Sequence, residues 1–396
     1  MTESGATVPR RVLPVLVAAQ FAGTSLWFAV NAVMPDLQRE LGWPATAVGN
    51  LTSALQLGFI AGTLVFALLA LADRLPARAL FLGCSIAGAA ATVGAWAGVR
   101  DFEALLGWRF LTGFCLAGIY PVGMKIASQW FPRGLGAALG LLIGALVLGS
   151  ASGHLLRGLA GSLPWPSVML GVAALAAIGG VGLYLGLPEP PGARDRRAAS
   201  AGLQWRALTS LWTDRRVRAS VFGYFGHMWE LYTVWVLVPL ILATRLDGAA
   251  LSLAAFAVLG AGAVGCVVGG QWASRLGSAR VAGAQLAVSG LCCVVAPWCL
   301  AAPAPVFALW LVVWGITVAG DSPQFSALTA TNAPPTAVGS VLTLTNCIGF
   351  TISIVSIELH LRLAQSVPLA QLLPWIGLGP LLGLLMLRPL LHGRAG

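Results

Sequence analysis

Apolar residues fill twelve separate runs of this chain, each bounded by arginine, proline, glycine or acidic residues. The runs cover 12–34, 46–71, 79–99, 104–130, 135–158, 166–187, 217–243, 249–272, 281–300, 304–330, 337–361 and 369–390. Each reaches the roughly 20 residues that a helix needs to cross the hydrocarbon core of a bilayer. Backbone groups in lipid must find partners within their own segment, so each run is predicted to be an α-helix. Connections are short, with one exception. The segment 188–216, "PEPPGARDRRAASAGLQWRALTSLWTDRR", is rich in Pro, Gly and Arg and separates six runs from six. The pattern predicts an all-α integral membrane protein with twelve transmembrane helices. It would comprise an N-terminal six-helix bundle (1–187), a central cytoplasmic loop (188–216) and a C-terminal six-helix bundle (217–396).

Composition supports this reading. Hydrophobic residues make up 58% of the chain and charged residues 9%, against about 25% charged in a soluble domain. So few charges cannot cover a soluble surface, and the surplus apolar area must face lipid. The net charge of +10 does not point to nucleic acid, because Lys125 is the only lysine and the arginines fall in short loops. With the N-terminus inside, seventeen basic residues lie on the cytoplasmic side, among them Arg133, Arg194, Arg196, Arg197, Arg206 and Arg394. The other side holds five: Arg39, Arg100, Arg157, Arg245 and Arg362. The positive-inside rule then puts both termini in the cytoplasm and the chain in the cell inner (plasma) membrane as a multi-pass protein. The first run is too long for the apolar core of a removable signal peptide. The seven cysteines sit in apolar stretches without metal-ligand spacing, so neither metal nor cofactor is expected.

The two halves carry matching fragments. Ala72-Asp73-Arg74-Leu75 aligns with Ala273-Ser274-Arg275-Leu276 at an offset of 201 residues. "AGIYP" (117–121) in run 4 matches "AGDSP" (319–323) in run 10. "FAG" lies 14 residues before Pro35 in run 1, and "FGH" lies 14 residues before Pro239 in run 7. Matches at nearly one offset indicate a duplicated six-helix unit, and parallel repeats of this kind mark transporters. The loop "LALADRLPAR" (69–78) resembles the loop 2–3 signature of the major facilitator superfamily, departing from it at Leu69, Pro76 and Ala77. "RFLTGFCLAG" in run 4 is similar to the Arg-x-x-x-Gly element of that superfamily, through Arg109 and Gly113. The resemblance covers nearly the whole chain. It implies two pseudo-symmetric bundles rocking about a central site lined by spans 1, 4, 7 and 10. It also implies a cytoplasmic gating contact between the bundles that involves Asp73, Arg74 and Arg78.

Ionisable residues inside a membrane span are costly and usually have a partner, a wet cavity or a function. His227 and Glu230 sit near the middle of run 7, with i, i+3 spacing that puts them on one helical face together with Tyr224. They read as a proton-binding pair or as a buried ion pair that fixes packing. Desolvation and the imidazole act on the carboxyl in opposite senses, so the two are expected to titrate as a unit. Arg109 needs an anion or a set of carbonyl oxygens; it could hold a substrate carboxylate in a bidentate fork or pair with an internal acid. Asp321 stands beside Pro323, which is expected to break the helix locally. Gln20, Thr24, Trp27 and Asn31 form one polar stripe on run 1, to line a cavity or to bond across helices. Tyr120, Tyr224 and several tryptophans are further pocket candidates.

These features point to a secondary active transporter and not to an enzyme. No Gly-x-x-x-x-Gly-Lys-[Ser/Thr] element is present to bind ATP. "GSASGH" (149–154) superficially resembles a hydrolase site, but His154 directly follows Gly153 and cannot face back to Ser152 on a helix. A non-catalytic receptor is a third possibility, separable by measuring flux. The leading expectation is proton-coupled symport of a small organic anion by a monomer working through alternating access. The alternative is a proton-driven antiporter exporting an amphipathic drug or metabolite.

Overall fold

The computed structural model describes residues 8–44, 46–131, 135–160, 163–189, 203–205, 209–334 and 337–391. Most of the 188–216 connection therefore lies outside the described residues, as do Arg133, Arg194, Arg196, Arg197, Arg206 and Arg394. The structure is all-helical among the described residues. Among the described residues, twelve helices are long and apolar enough to cross a membrane. In order, spans 1–6 are Val12–Leu41, Ala47–Leu68, Ala77–Ala97, Phe102–Trp130, Ala137–Leu159 and Pro166–Gly186. Spans 7–12 are Arg215–Leu242, Gly248–Leu276, Ser278–Ala301, Ala304–Asn332, Val338–Leu363 and Leu369–Leu391. We call the end of the molecule at which span 1 begins and span 12 ends the terminal face, and the opposite end the distal face. Asp101 and Asp214 start spans 4 and 7 as N-caps, each accepting two backbone N–H groups that would otherwise lack partners.

The two halves use the same helix pairings. Spans 1 and 6, 2 and 4, 3 and 6, 3 and 4, and 1 and 5 pack in the first half. Their counterparts 7 and 12, 8 and 10, 9 and 12, 9 and 10, and 7 and 11 pack in the second. The halves meet through spans 5 and 8 and through spans 2 and 11, contacts that also exchange under the duplication. Glycine permits the tightest crossings. A methyl on Gly113 would overlap the Leu55 carbonyl, and a methyl on Gly315 would overlap the Val258 carbonyl at the equivalent place 202–203 residues later. Backbones this close gain dispersion contacts that hold helices together in lipid.

Four spans are interrupted among the described residues, span 12 at Gly377 being one of them. Span 1 is irregular from Ser25 to Phe28, span 4 from Ala117 to Ile119, and span 10 at Asp321. The breaks in spans 4 and 10 fall inside the matched fragments "AGIYP" and "AGDSP". Pro121 and Pro323 supply no backbone N–H to continue the ladder. Span 7 runs unbroken from Arg215 to Leu242.

Candidate functional site

A small cavity lies between the halves, and Tyr120, Tyr224, Met228, Tyr232, Trp235, Ala319, Ser322, Asn346 and Phe350 are among the residues that line it. About 30 Å³ is open to the centre of a water molecule, room for one or two waters. Spans 4, 5, 7, 10 and 11 contribute lining residues. Span 1, which the family resemblance placed in the lining, reaches it through ring contacts. Trp27 stacks on Tyr232 at 5.9 Å, and Phe28 meets Trp235 edge-on at 5.5 Å. Phe59 and Phe350 approach to 4.7 Å. These rings come from both halves and form an aromatic floor on the distal side of the cavity.

Below that floor, polar contacts tie the halves together. Ser53 Oγ donates to Glu358 Oε1 at 2.8 Å, and Gln56 Nε2 donates to Ser353 Oγ at 3.2 Å. Both join span 2 to span 11 in their distal halves. Towards the terminal face, Ser128 of span 4 and Thr331 of span 10 are exposed. Spans 5 and 8 stay in contact at both ends, through Gly140 beside the Cys266 carbonyl and Gly158 beside Leu253.

The ionisable side chains sort differently from the sequence expectation. The expected His227–Glu230 pair does not form; the two residues face different neighbours. His227 Nδ1 lies 2.8 Å from Asp321 Oδ1, with the two side chains 1% and 0% exposed. That contact is short but poorly aligned for a hydrogen bond. Among the described residues, His227 Nε2 and Asp321 Oδ2 have no hydrogen-bond partner. Glu230 turns to spans 9 and 10. Its Oε1 accepts from Ser289 Oγ at 2.6 Å, Trp314 Nε1 at 2.8 Å and Cys293 Sγ at 3.2 Å. The 60° between positions i and i+3 on a helix suffices to send the two side chains to different neighbours.

Arg109 is buried at 1% exposure and points at span 1. Nη1 donates to the Leu26 carbonyl at 3.2 Å and Nη2 to the Trp27 carbonyl at 2.5 Å. Those carbonyls lie in the irregular segment of span 1, where the helical ladder is interrupted. Of the two options the sequence left, a carboxylate or a set of carbonyls, the second is what this conformation contains. In the polar stripe, Asn31 Nδ2 donates to Thr52 Oγ1 of span 2 at 2.9 Å, and Thr24 Oγ1 donates to the Gln20 carbonyl at 2.8 Å. Gln20 is fully buried against Gly123 of span 4, and its amide atoms have no partner among the described residues.

At the terminal face, Lys125 of span 4 donates to the Asp73 carboxylate and to the Ala72 carbonyl, contacts internal to the first half. Arg78 donates to the Leu187 and Tyr184 carbonyls and to Glu189 at 3.2 Å, fastening the loop to the end of span 6. Arg74 is exposed. The hydrolase-like stretch is not assembled as one: Ser152 Oγ donates to the Gly149 carbonyl within its own helix. Ser289, Cys293 and Trp314 around Glu230, and Asn346 in the cavity, were not singled out in the sequence.

Known proteins place this architecture. A family model described as Major Facilitator Superfamily matches residues 16–357. A chloramphenicol resistance protein of Streptomyces lividans is 30% identical over 273 residues, which cover 68% of this chain and 67% of that protein. The crystal structure of the human organic anion transporter MFSD10 (TETRAN) superposes with a TM-score of 0.76 at 18% identity, covering 96% of this chain and 99% of that one. The transporter FucP in the outward conformation gives a TM-score of 0.69 at 14% identity, covering 95% and 97%. At such identities the two structures speak for the fold alone. Twelve spans in two repeated halves, the loop 69–78 and the match over residues 16–357 make this chain a member of the major facilitator superfamily.

Proposed function

We propose that this transporter exports small, uncharged amphipathic molecules carrying an aromatic ring, in exchange for protons. The observation that carries the reading is the character of the cavity. Its lining is aromatic and aliphatic, with Asn346, Ser322 and the hydroxyls of Tyr120, Tyr224 and Tyr232 as polar groups and no lysine or arginine. Such a surface favours a flat apolar body with a few hydrogen-bonding groups. The Streptomyces lividans relative, named for chloramphenicol resistance, supports the same choice. The anion-symport reading rested on Arg109, and that guanidinium is engaged with span 1 carbonyls. We therefore place it second.

In this reading the halves are residues 1–187 and 217–396, joined by 188–216, and the protein works as a monomer in the cell inner membrane. Both termini are cytoplasmic, so the closed distal face is periplasmic and the structure faces inward. The chain moves its substrate without chemical change. The test is transport by purified protein in liposomes under an imposed pH gradient, with labelled chloramphenicol and a small carboxylate as alternative probes. Gradient-dependent movement of chloramphenicol is expected. Movement of the carboxylate with none of chloramphenicol would overturn the proposal in favour of anion symport.

A further inference from the structure

We propose that the His227–Asp321 contact is the proton site of this transporter, and that Glu230 braces the second bundle without exchanging a proton. The inference rests on the reading of the chain as a proton-driven exporter and names the site within it. The duplication carries it. The matched fragments "FAG" and "FGH" set Gly23 opposite His227, and "AGIYP" and "AGDSP" set Ile119 opposite Asp321. In the first half these positions meet as an apolar contact. Ile119 Cγ2 lies 2.6 Å from where a Cβ on Gly23 would stand, so the break in span 4 closes directly on span 1. In the second half the same two positions hold an imidazole and a carboxyl 2.8 Å apart. The scaffold can seat a broken helix against its neighbour with a glycine and an isoleucine. Packing therefore does not require the ionisable version.

Three further observations fit a site that gains and loses a proton. Both side chains are almost wholly buried, and each keeps one polar atom without a hydrogen-bond partner among the described residues. A purely structural pair in this setting should be saturated with hydrogen bonds, because unsatisfied buried polar groups cost stability. The pair itself is not in the cavity wall, but its neighbours are: Ser322 follows Asp321 in the chain, Ala319 stands two residues before it, and Tyr224 packs on the His227 ring at 5.8 Å, and all three line the cavity. Glu230 shows the opposite pattern, with three donors from two neighbouring spans on one carboxyl oxygen. The titratable groups facing the pair are Tyr224 and Glu230 of span 7 and Cys266 of span 8, with Cys347 of span 11 and Tyr120 of span 4 beyond Tyr224. None of these is a permanent cation.

The coupling follows from electrostatics. With one proton between them, His227 and Asp321 are net neutral and tolerate the dry interior. Removing that proton to water leaves a lone carboxylate beside a neutral imidazole, a state that low-dielectric surroundings disfavour. Water entering the cavity lifts the penalty. Proton release is thereby tied to the conformation in which the cavity is open, and rebinding to its closure.

Infrared difference spectroscopy on the purified full-length protein in lipid tests this without any substrate. Between alkaline and acidic buffer, the wild type should gain a carboxylic-acid carbonyl band. Asp321→Asn should lose the band, and Glu230→Gln should keep it. His227→Gln, the milder change should Asp321→Asn fail to fold, should move the midpoint of the band without removing it. Persistence of the band in Asp321→Asn, its loss in Glu230→Gln, or an unmoved midpoint in His227→Gln would each overturn the assignment. Chloramphenicol flux measured in parallel keeps the two readings apart. A normal infrared result with no flux faults the substrate class. Flux that still follows the pH gradient in Asp321→Asn faults the proton site.

Discussion

Arg109 reaches from span 4 to the interrupted segment of span 1 and donates to the Trp27 carbonyl, as a side chain closing a break in a neighbouring helix. Lysine keeps the charge but lacks the planar fork that serves the Leu26 and Trp27 carbonyls together. Losing one hydrogen bond from a charged donor costs about 1.5–3 kcal/mol. Arg109→Lys is therefore expected to lower the melting temperature while leaving the affinity for small carboxylates unchanged. A full melting temperature with carboxylate binding down tenfold would return Arg109 to the substrate.

The distal closure depends on two hydrogen bonds, from Ser53 to Glu358 and from Gln56 to Ser353. At a net worth of about 0.5–1.5 kcal/mol each, removing both shifts a two-state equilibrium by about 1–3 kcal/mol, or 5- to 150-fold. The double variant Ser53→Ala with Gln56→Ala is expected to populate the distally open state. Distances between labels on the distal ends of spans 2 and 11 report it. An unchanged distance distribution would leave the closure to the aromatic floor alone.

Ala70 sits before the short helix Leu71–Arg74 with a φ of +49°, a left-handed conformation for a residue with a side chain. Such a conformation costs roughly 1–2 kcal/mol. Glycine removes that cost but adds roughly 0.5–1 kcal/mol of unfolded-state entropy. The first effect is the larger, so Ala70→Gly is expected to raise the melting temperature slightly. A clear fall would mean that the Ala70 methyl makes contacts worth more than the strain.

Orientation is read from arginine placement, so it needs its own measurement. Reporter tags at either terminus and within 188–216 are expected to lie in the cytoplasm. A periplasmic signal from one terminus alone would break the even count of spans.

The twelve spans were legible because each is a long apolar run with polar ends, and the structure reproduces all of them. The break in span 10 was legible from Pro323, since a missing N–H is a local property. The partner of His227 was not. Spacing along one helix says which side chains share a face, but not which neighbouring helix that face meets. Sequence therefore joined His227 to Glu230, while packing took one to Asp321 and the other to Ser289, Cys293 and Trp314. The clue lay in two fragment matches read separately. Taken together, Gly23 with Ile119 and His227 with Asp321 form one contact used twice. The commitment of Arg109 to backbone was hidden for a related reason: nothing local to Ser25–Phe28 announces that span 1 will open there.

The glycine crossings carry a mechanical consequence. Within each half, Gly113 against Leu55 and Gly315 against Val258 leave no room for even one added carbon, so these helices are locked in register. Between the halves, a methyl on Gly140 or Gly144 would sit 3.2 or 3.4 Å from the carbonyls of span 8, tight to ordinary contact, and one on Gly158 would meet the Leu253 side chain at 2.7 Å, a neighbour that can turn aside where a backbone cannot. The molecule thus has stiff interiors and one lubricated seam, and motion between its end states should concentrate there as sliding along spans 5 and 8. The same one-carbon change separates the two behaviours. Gly113→Ala should wreck the fold of its half, whereas Gly144→Ala should leave both halves folded and alter only the ease with which one glides over the other.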